Sequence, residues 1–355
     1  MLSTAALFAQ NSASQEQKLL ATVRRDPNNA SAAAAMGTFY FRKMQWRLSA
    51  HWLQKAYTLS KGNSTIGFDL ALARMQAGEL DQAQKQIEIL QSQKESAKLH
   101  GLMAEIDNRK GDYRAAAQEY HRAAEMEPTE EHIFELATYL VQHKQYVGAL
   151  NDAIKFYRYG VEKFPSSARL RVGLGVALYA ASDYDEAVRV FCEAIDLNPK
   201  DTRPLQFLGR ASLVSPELAP AVDARLKEFE ERYPDNAAAN YFYALALWER
   251  SGEAAGKDRT EIVRLLRRAE ALKPGWYEPH FQLGVVYESQ QKYADAIIEM
   301  KRAVAIDEDY FPAHYRLAIL YNRMGQRAKA KTEADLVKRL QAKGEEMSDR
   351  HDVIE

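Results

Sequence analysis

A small residue within an apolar helical stretch recurs along this chain at a nearly constant interval. The residues are Gly37, Ala71, Ala104, Ala137, Gly175, Gly209, Ala244, Gly284 and Ala318, separated by 34, 33, 33, 38, 34, 35, 40 and 34 positions. A fixed period of this length is typical of repeat proteins, in which each unit packs only on its neighbours. The 355 residues therefore predict a series of stacked units rather than a few compact domains.

The segment around Gly284 indicates what each unit is. Apolar residues between Phe281 and Tyr287 and again between Ile297 and Val304 fall at helical spacing, with a break between them. Each unit is therefore predicted to be two short amphipathic helices. Gly284 and Ala296 would let the two backbones approach closely, so a bulky residue at either position is expected to wedge the helices apart.

Glycines and prolines mark the predicted helix ends. Gly78, Gly111 and Gly325 stand between paired helices, where a left-handed residue commonly ends the first helix. Ser182, followed three residues later by Asp185, resembles a capping box for the next helix. Proline cannot continue a helix, and prolines close successive units at Pro128, Pro165, Pro199, Pro234 and Pro274.

One unit shows the whole pattern in order. Gly175 is followed by Tyr184, by the alanines Ala187 and Ala194, and by Pro199. In this order and at this length, the pattern resembles the tetratricopeptide repeat. The resemblance covers about residues 30 to 340 as nine units, with residues 14 to 26 as a leading half unit. It implies an all-α, right-handed solenoid of about nine antiparallel helix pairs, whose first helices line a concave groove used for protein recognition.

Three units depart from the regular pattern. The 38-residue interval predicts a longer second helix, because four extra residues make about one helical turn. The 40-residue interval contains the charged, glycine-rich stretch at 250–260, which predicts a protruding loop. Pro216 and Pro220 predict a shortened or bent second helix in the unit after Thr202.

Composition and motifs argue against several classes of function. Lys and Arg number 48 against 49 Asp and Glu, so there is no basic field to attract nucleic acid. No apolar run is long enough for a transmembrane helix. Gly173 and Gly175 lack the third glycine of a dinucleotide loop. The single cysteine, Cys192, excludes an internal disulfide and is read as a buried thiol.

The histidines do not predict a metal site. His280 and His314 are 34 residues apart and so occupy equivalent positions in adjacent units, and His100 takes the same position in an earlier unit. No cysteine or second histidine stands nearby to complete a ligand set. They are interpreted as packing residues, and no metal, cofactor or catalytic residue is predicted.

The resemblance also implies which residues face the groove. Carrying the groove-facing positions of the family onto this chain gives Phe41, Arg42, Phe68, Met75, Glu105, Arg109 and Phe134 in the earlier units. In the later units it gives the residues that we select as the candidate binding site, namely Arg169, Tyr179, Arg203, Phe207, Arg210, Tyr241, Trp248, Phe281, Glu288, Tyr315, Arg316 and Arg323. Aromatic residues and arginines are enriched at binding hot spots. We expect Arg203, Phe207, Arg210, Tyr241 and Trp248 to form one patch. The alternative is that some of the aromatic residues pack between neighbouring units.

The predicted function is that of a non-catalytic scaffold or adaptor that binds a partner protein or peptide in the groove. The alternatives are a ligand-sensing module of a larger system and an enzyme with a site hidden in the superhelix. The predicted organisation is a flexible N-terminus or signal remnant at 1–13, the solenoid at 14–343 and a polar tail at 344–355. The compartment stays open between cytoplasmic and exported, because the first ten residues resemble the end of a secretory signal. The oligomeric state is also open.

Overall fold

Helices account for all regular structure in the part of the chain that the structure describes. The computed structural model describes residues 4–144, 147–251 and 258–352, with side chains for 14–144, 147–210, 215, 217–250 and 258–343. These residues contain nineteen α-helices and one short 3-10 helix, without a strand. The predicted all-α fold is confirmed. Of the predicted loop at 250–260, residues 252–257 lie outside the described residues. Its two ends are helical rather than looped, because one helix ends at Ser251 and the next begins at Asp258.

The chain divides into two compact units between Pro165 and Ser166. The first unit contains α1 Thr4–Arg25, α2 Ala30–Arg42, α3 Trp46–Leu59, α4 Ser64–Gln76, α5 Leu80–Gln93, α6 Ala97–Lys110, α7 Tyr113–Met126, α8 Glu130–Gln142 and α9 Ala149–Lys163. The second contains α10 Ala168–Ala180, α11 Tyr184–Leu197, α12 Arg203–Val214, the 3-10 helix Pro216–Leu218, α13 Ala219–Arg232, α14 Ala237–Ser251, α15 Asp258–Leu272, α16 Tyr277–Ser289, α17 Tyr293–Ile306, α18 Phe311–Arg323 and α19 Arg327–Asp352.

From α2 onward the helices form pairs, each with a first and a second helix. In the first unit α1 packs on α2 through Leu19, Leu20 and Val23 and precedes four pairs, whereas the second unit contains five pairs. Each second helix also contacts the first helix of the next pair within the same unit. The apolar core is therefore a chain of small clusters, as expected when every repeat buries its apolar face on a neighbour.

The close crossing within a pair depends on the small residue of the repeat. A Cβ atom added to Gly175 would lie 2.5 Å from Cε1 of Phe191, and one added to Gly284 would lie 2.7 Å from Cε of Met300. Ala296 is fully buried on α17. The predicted crossings at Gly284 and Ala296 are confirmed. Gly175 has the same structural role at its own crossing and does not belong to a nucleotide-binding loop.

The turn between paired helices uses a left-handed residue. Gly78, Gly111 and Gly325 have φ angles of 80°, 80° and 71°, as predicted. Ser182 takes the same role with φ 63°. The capping box predicted at Ser182 was therefore wrong by one residue, because the N-cap of α11 is Asp183, whose carboxylate accepts a hydrogen bond from the Glu186 amide at 3.3 Å.

Two of the predictions about irregular units were wrong. In the 38-residue interval α9 has 15 residues against 14 in α11. Most of the surplus stands between the paired helices, since α8 ends at Gln142 and α9 begins only at Ala149. In the unit with Pro216 and Pro220, a 3-10 turn precedes α13, but α13 has the ordinary 14 residues. A proline in the first turn of a helix has no hydrogen bond to lose.

Candidate functional site

The predicted groove residues all lie on first helices, and those of the candidate binding site, from Arg169 onward, lie in the second unit. The candidate binding-site residues belong to α10, α12, α14, α16 and α18. Within this unit α10 contacts α12, and α12 contacts α14. The first helices therefore lie side by side and can present one surface to a partner. The contacts of each side chain show which residues remain available for recognition.

The aromatic residues of α10 and α12 pack against other rings. Phe207 stacks on Phe191 of the preceding second helix, with ring centroids 5.0 Å apart. Tyr179 meets Phe207 edge to face at 5.6 Å and Tyr184 at 5.2 Å. Phe191 is fully buried. Tyr179 and Phe207 therefore join neighbouring repeats, as the alternative interpretation of the aromatic positions described.

Tyr241 and Phe281 are engaged in a similar way. The Tyr241 ring lies 4.7 Å from Trp276, and the Phe281 ring meets Tyr310 edge to face at 5.2 Å. Trp276 and Tyr310 each stand just before the next first helix. Burial, followed by the charge of Glu278, raises the pKa of the Tyr241 hydroxyl. These rings fix the position of each first helix relative to the next.

Several charged groove residues are already paired. Arg203 binds Asp201 at 2.6 Å, and this hydrogen bond raises the pKa of the Arg203 guanidinium. Glu288 on α16 accepts hydrogen bonds from Arg316 at 2.7 Å and lies 3.4 Å from Arg323, both on α18. Two arginines on one carboxylate fix the α16–α18 contact and leave a net positive charge at its edge.

The remaining groove residues are Arg210, Trp248, Tyr315 and Arg169, which are exposed or half-buried. Arg210 is exposed and, within the described part of the chain, has no carboxylate within 4.0 Å. Trp248 is half-buried and makes no ring contact with the described side chains. Tyr315 is 53% exposed, and its ring stacks on Phe311 with the ring centroids 6.3 Å apart. Arg169 is also exposed. The predicted five-residue patch is thus divided between packed rings, one paired arginine, and the available Arg210 and Trp248.

The three histidines at the equivalent repeat position are buried, and each binds a glutamate. Nδ1 of His100 lies 2.6 Å from Glu119, and Nδ1 of His314 lies 2.6 Å from Glu333. Each glutamate stands on the second helix of the same pair. The packing interpretation missed these hydrogen bonds, although a glutamate 19 residues after each histidine was visible in the sequence.

The third histidine lies in a larger ion-pair network. His280 Nδ1 is 3.0 Å from Glu299, and Glu270 is close enough that the three side chains could reach a common metal ion. However, Arg267 donates to both carboxylates at 2.7 Å, and Arg302 donates to Glu299 at 3.0 Å. The two guanidinium groups already balance both carboxylates, so the cluster acts as a structural connection between α15, α16 and α17.

The family assignment follows from matches along the sequence. Tetratricopeptide-repeat family models match residues 134–202 and 277–310. Together with the nine helix pairs of the described residues, these matches decide the family. The chain is a tetratricopeptide-repeat protein.

Solved structures of other tetratricopeptide-repeat proteins are similar to this one. MamA is 21% identical, with a TM-score of 0.40, 49% of this chain and 97% of that chain being covered. The C-terminal part of a TPR repeat-containing protein from Cytophaga hutchinsonii is 17% identical, with a TM-score of 0.49 and coverages of 78% and 96%. YrrB, a TPR protein with an unusual peptide-binding site, is 16% identical, with a TM-score of 0.40 and coverages of 53% and 96%. No curated protein matches the sequence.

This tetratricopeptide-repeat chain also has a groove on its first unit that the sequence did not predict. The groove lies between α7, α8 and α9 and has a volume of about 980 Å³. Leu136, Leu140 and Phe156 are among its apolar lining residues, and Arg122 and Lys155 are among its charged ones. Arg122 pairs with Glu119 and Lys155 with Asp152.

Ionisable groups with shifted pKa values are dispersed in this tetratricopeptide-repeat protein. Burial, followed by the charge of Glu119, raises the pKa of Asp107 to about 6 in the first unit. Desolvation of its carboxylate, followed by the charge of Asp223, raises the pKa of Glu249 to about 7 in the second unit. Burial raises the pKa of the Cys192 thiol, opposed by Arg225. These groups do not converge on one site.

None of the described helices is long and apolar enough to cross a membrane.

Proposed function

We propose that this protein is a non-catalytic interaction scaffold that holds a partner protein or peptide against the first helices of its second unit. The observation that carries the proposal is the availability of Arg210 and Trp248. An exposed arginine without a carboxylate and a half-buried tryptophan without a ring partner lie on α12 and α14, which contact each other. These two residue types dominate binding hot spots.

The packed rings support this proposal indirectly. Phe207 is held by Phe191 and Tyr241 by Trp276, so the backbones that present Arg210 and Trp248 are fixed before a partner arrives. A preorganised surface loses less conformational entropy on binding than a flexible one. The aromatic groove residues then serve recognition by positioning α12 and α14, and the contacts with the partner come from the residues between them.

Two truncations test the proposal. Partners are first captured by affinity purification with the wild-type chain and identified by mass spectrometry, and the affinity of each is then measured for Arg210→Ala and Trp248→Ala. We expect each variant to bind its partner about 30-fold more weakly, corresponding to about 2 kcal/mol. Arg189→Ala is the matched control, because Arg189 is an exposed arginine on the second helix α11. This variant is expected to bind the partner as tightly as the wild type does.

Melting curves of the same variants separate recognition from folding. If Trp248 packed between repeats, its truncation would lower the free energy of unfolding by about 3 to 5 kcal/mol. Weakened binding with an unchanged thermal midpoint supports the proposal. Normal binding of both variants, or a loss of binding that follows unfolding, contradicts it and leaves the groove as a packing surface.

A further inference from the structure

One face of the helix pair α18–α19 is open, whereas the corresponding face of the preceding pair is covered by a helix. The repeats that begin at Tyr277 and Phe311 are offset by 34 residues, so α17 corresponds to α19. In the first of these repeats, α17 contacts α18 of the next pair. The corresponding face of α18 and α19 is an open groove of about 590 Å³. The chain itself thus shows that a helix fits this face.

The covered face of α17 is apolar throughout. Ala296, Met300 and Ala303 are fully buried in a cluster with Leu317 and Leu320 of α18. At the edges of this cluster, the partly buried residues Ile297 and Val304 pack against it. The contact between successive repeats therefore has a floor of small and medium apolar residues, and its two edges are also apolar.

The open face of α19 has an apolar floor like that of α17, but its edges are charged rather than apolar. Ala330, Ala334 and Val337 occupy the floor positions. Lys331 and Lys338 stand where Ile297 and Val304 stand one repeat earlier. Both lysines are exposed groove-lining residues, and neither has a carboxylate within 4.0 Å among the described residues. An apolar first helix like α18 would leave these ammonium groups unpaired, whereas a helix with carboxylates would pair them.

We propose that the α18–α19 face docks an amphipathic helix of a partner protein, with carboxylates of that helix against Lys331 and Lys338. The floor accepts the apolar side of the helix, as α17 accepts α18, and the two lysines select an acidic flank. This surface is separate from the one around Arg210 and Trp248, so either can fail without the other.

A second copy of this chain fits the face less well than an acidic partner. In a head-to-tail stack the incoming helices would be α1 and α2. The sequence of α2 contains no Asp or Glu, and Glu16 is the one carboxylate in the sequence of α1. Glu16 is already bound by Tyr40 at 2.7 Å and lies 3.7 Å from Lys43. No carboxylate of α1 or α2 is left to meet Lys331 and Lys338.

Two synthetic helical peptides test the proposal directly. Both carry the same alanine and leucine face, and they differ only in having glutamate or lysine along the flanks. Fluorescence anisotropy with the full chain is expected to show at least ten-fold tighter binding of the glutamate peptide. The variant Lys331→Glu/Lys338→Glu should reverse this preference. Arg339→Glu is the control, because Arg339 is next to Lys338 but about 100° around the helix and should leave the preference unchanged.

A second variant and two further measurements cover the other occupants. In Ala334→Leu the larger side chain fills the floor of the groove and should weaken binding of the glutamate peptide at least ten-fold. The helical content of this variant, measured by circular dichroism, should be unchanged. Equal binding of both peptides, binding of neither, or no response to the lysine reversal overturns the proposal. Lysine-dependent self-association in analytical ultracentrifugation would assign the face to a second copy instead. Lysine-dependent sedimentation with phosphatidylserine vesicles, without peptide preference, would assign it to a lipid surface.

Discussion

Nδ1 of His280 donates a hydrogen bond to the carboxylate of Glu299 at 3.0 Å, and both side chains are buried. The same step of 19 residues joins His100 to Glu119 and His314 to Glu333. Each pair connects the first helix of a repeat to its second helix. These repeats therefore combine the small-residue crossing with a polar connection between their two helices.

Glu299→Gln should destabilise the second unit at neutral pH by about 2 to 4 kcal/mol, because it removes the charge that faces Arg267, Arg302 and His280. Burial alone would raise the pKa of Glu299, but the hydrogen bonds from His280 and Arg267 hold it below its ordinary value of 4.5. A depressed carboxyl pKa contributes stability above the unfolded-state value and loses it as the pH falls through the folded-state value. The difference between wild type and variant should therefore shrink below about pH 4.5. Denaturant titrations at pH 7 and pH 4 measure this difference in stability, with Glu308→Gln, at an exposed position, as control. A difference that does not change with pH would contradict a stabilising role for the Glu299 charge.

Asp107→Asn should show the opposite dependence on pH. Burial and Glu119 raise the pKa of Asp107 to about 6 from 3.8. As the pH rises through this window, the unfolded chain releases its proton first, so stability declines and then stays constant above about pH 6. The free energy of unfolding of the variant should exceed that of the wild type by about 1 kcal/mol at pH 7, after allowance for solvent screening. Near pH 3.5 the two should be equally stable. The exposed Glu131→Gln should not show this gain, and a destabilised variant at pH 7 would be inconsistent with a desolvated Asp107.

Gly175→Ala should destabilise more than Gly284→Ala, although both glycines occupy the same repeat position. The new Cβ would meet Phe191, a rigid ring already stacked on Phe207, in the first case and the flexible end of Met300 in the second. Overpacking against the ring is expected to cost about 1 to 3 kcal/mol, whereas at Gly284 the higher helix propensity of alanine offsets most of the strain. Gly101→Ala, with no neighbouring atom nearer than 3.9 Å, should stabilise by about 0.5 to 1 kcal/mol. Chemical denaturation of the three variants gives the order, and equal costs at Gly175 and Gly284 would refute this explanation.

Phe207→Ala should act on folding rather than on recognition. The ring stacks on Phe191 and contacts Tyr179, so its removal opens a cavity between α11 and α12. We expect a loss of about 3 kcal/mol in the free energy of unfolding. Tyr315→Ala, at a residue that is 53% exposed, should change stability by less than about 0.5 kcal/mol. If thermal melting shows the same shift for both variants, Phe207 is not the packing residue described above.

The sequence was informative where a structural rule acts within one repeat and less so where partners come from different helices. The period placed the helix pairs and the crossing at Gly284, since each depends on residues a few positions apart. It did not reveal that Phe207 packs on Phe191 rather than facing a partner, because groove and interface positions carry the same residue types. The pairing of His280 with Glu299 spans two helices, so helical periodicity could not reveal it. The surplus before Ala149 was assigned to a helix because length alone does not distinguish a longer helix from a longer connection.

The final prediction concerns the turn between α16 and α17, where Gln291 has a φ of 58°. Other repeats place glycine at this position, as at Gly325 with φ 71°. A side chain in the left-handed region costs about 1 to 2 kcal/mol, and glycine adopts this region freely at the expense of greater entropy in the unfolded chain. Gln291→Gly should therefore stabilise by about 0.5 to 1 kcal/mol. Gln290 is the matched control, because its φ of −85° suits any residue, and Gln290→Gly should destabilise slightly through unfolded-state entropy alone. Denaturant titrations monitored by circular dichroism compare the two neighbours, and a destabilised Gln291→Gly would mean that this turn tolerates a left-handed glutamine without strain.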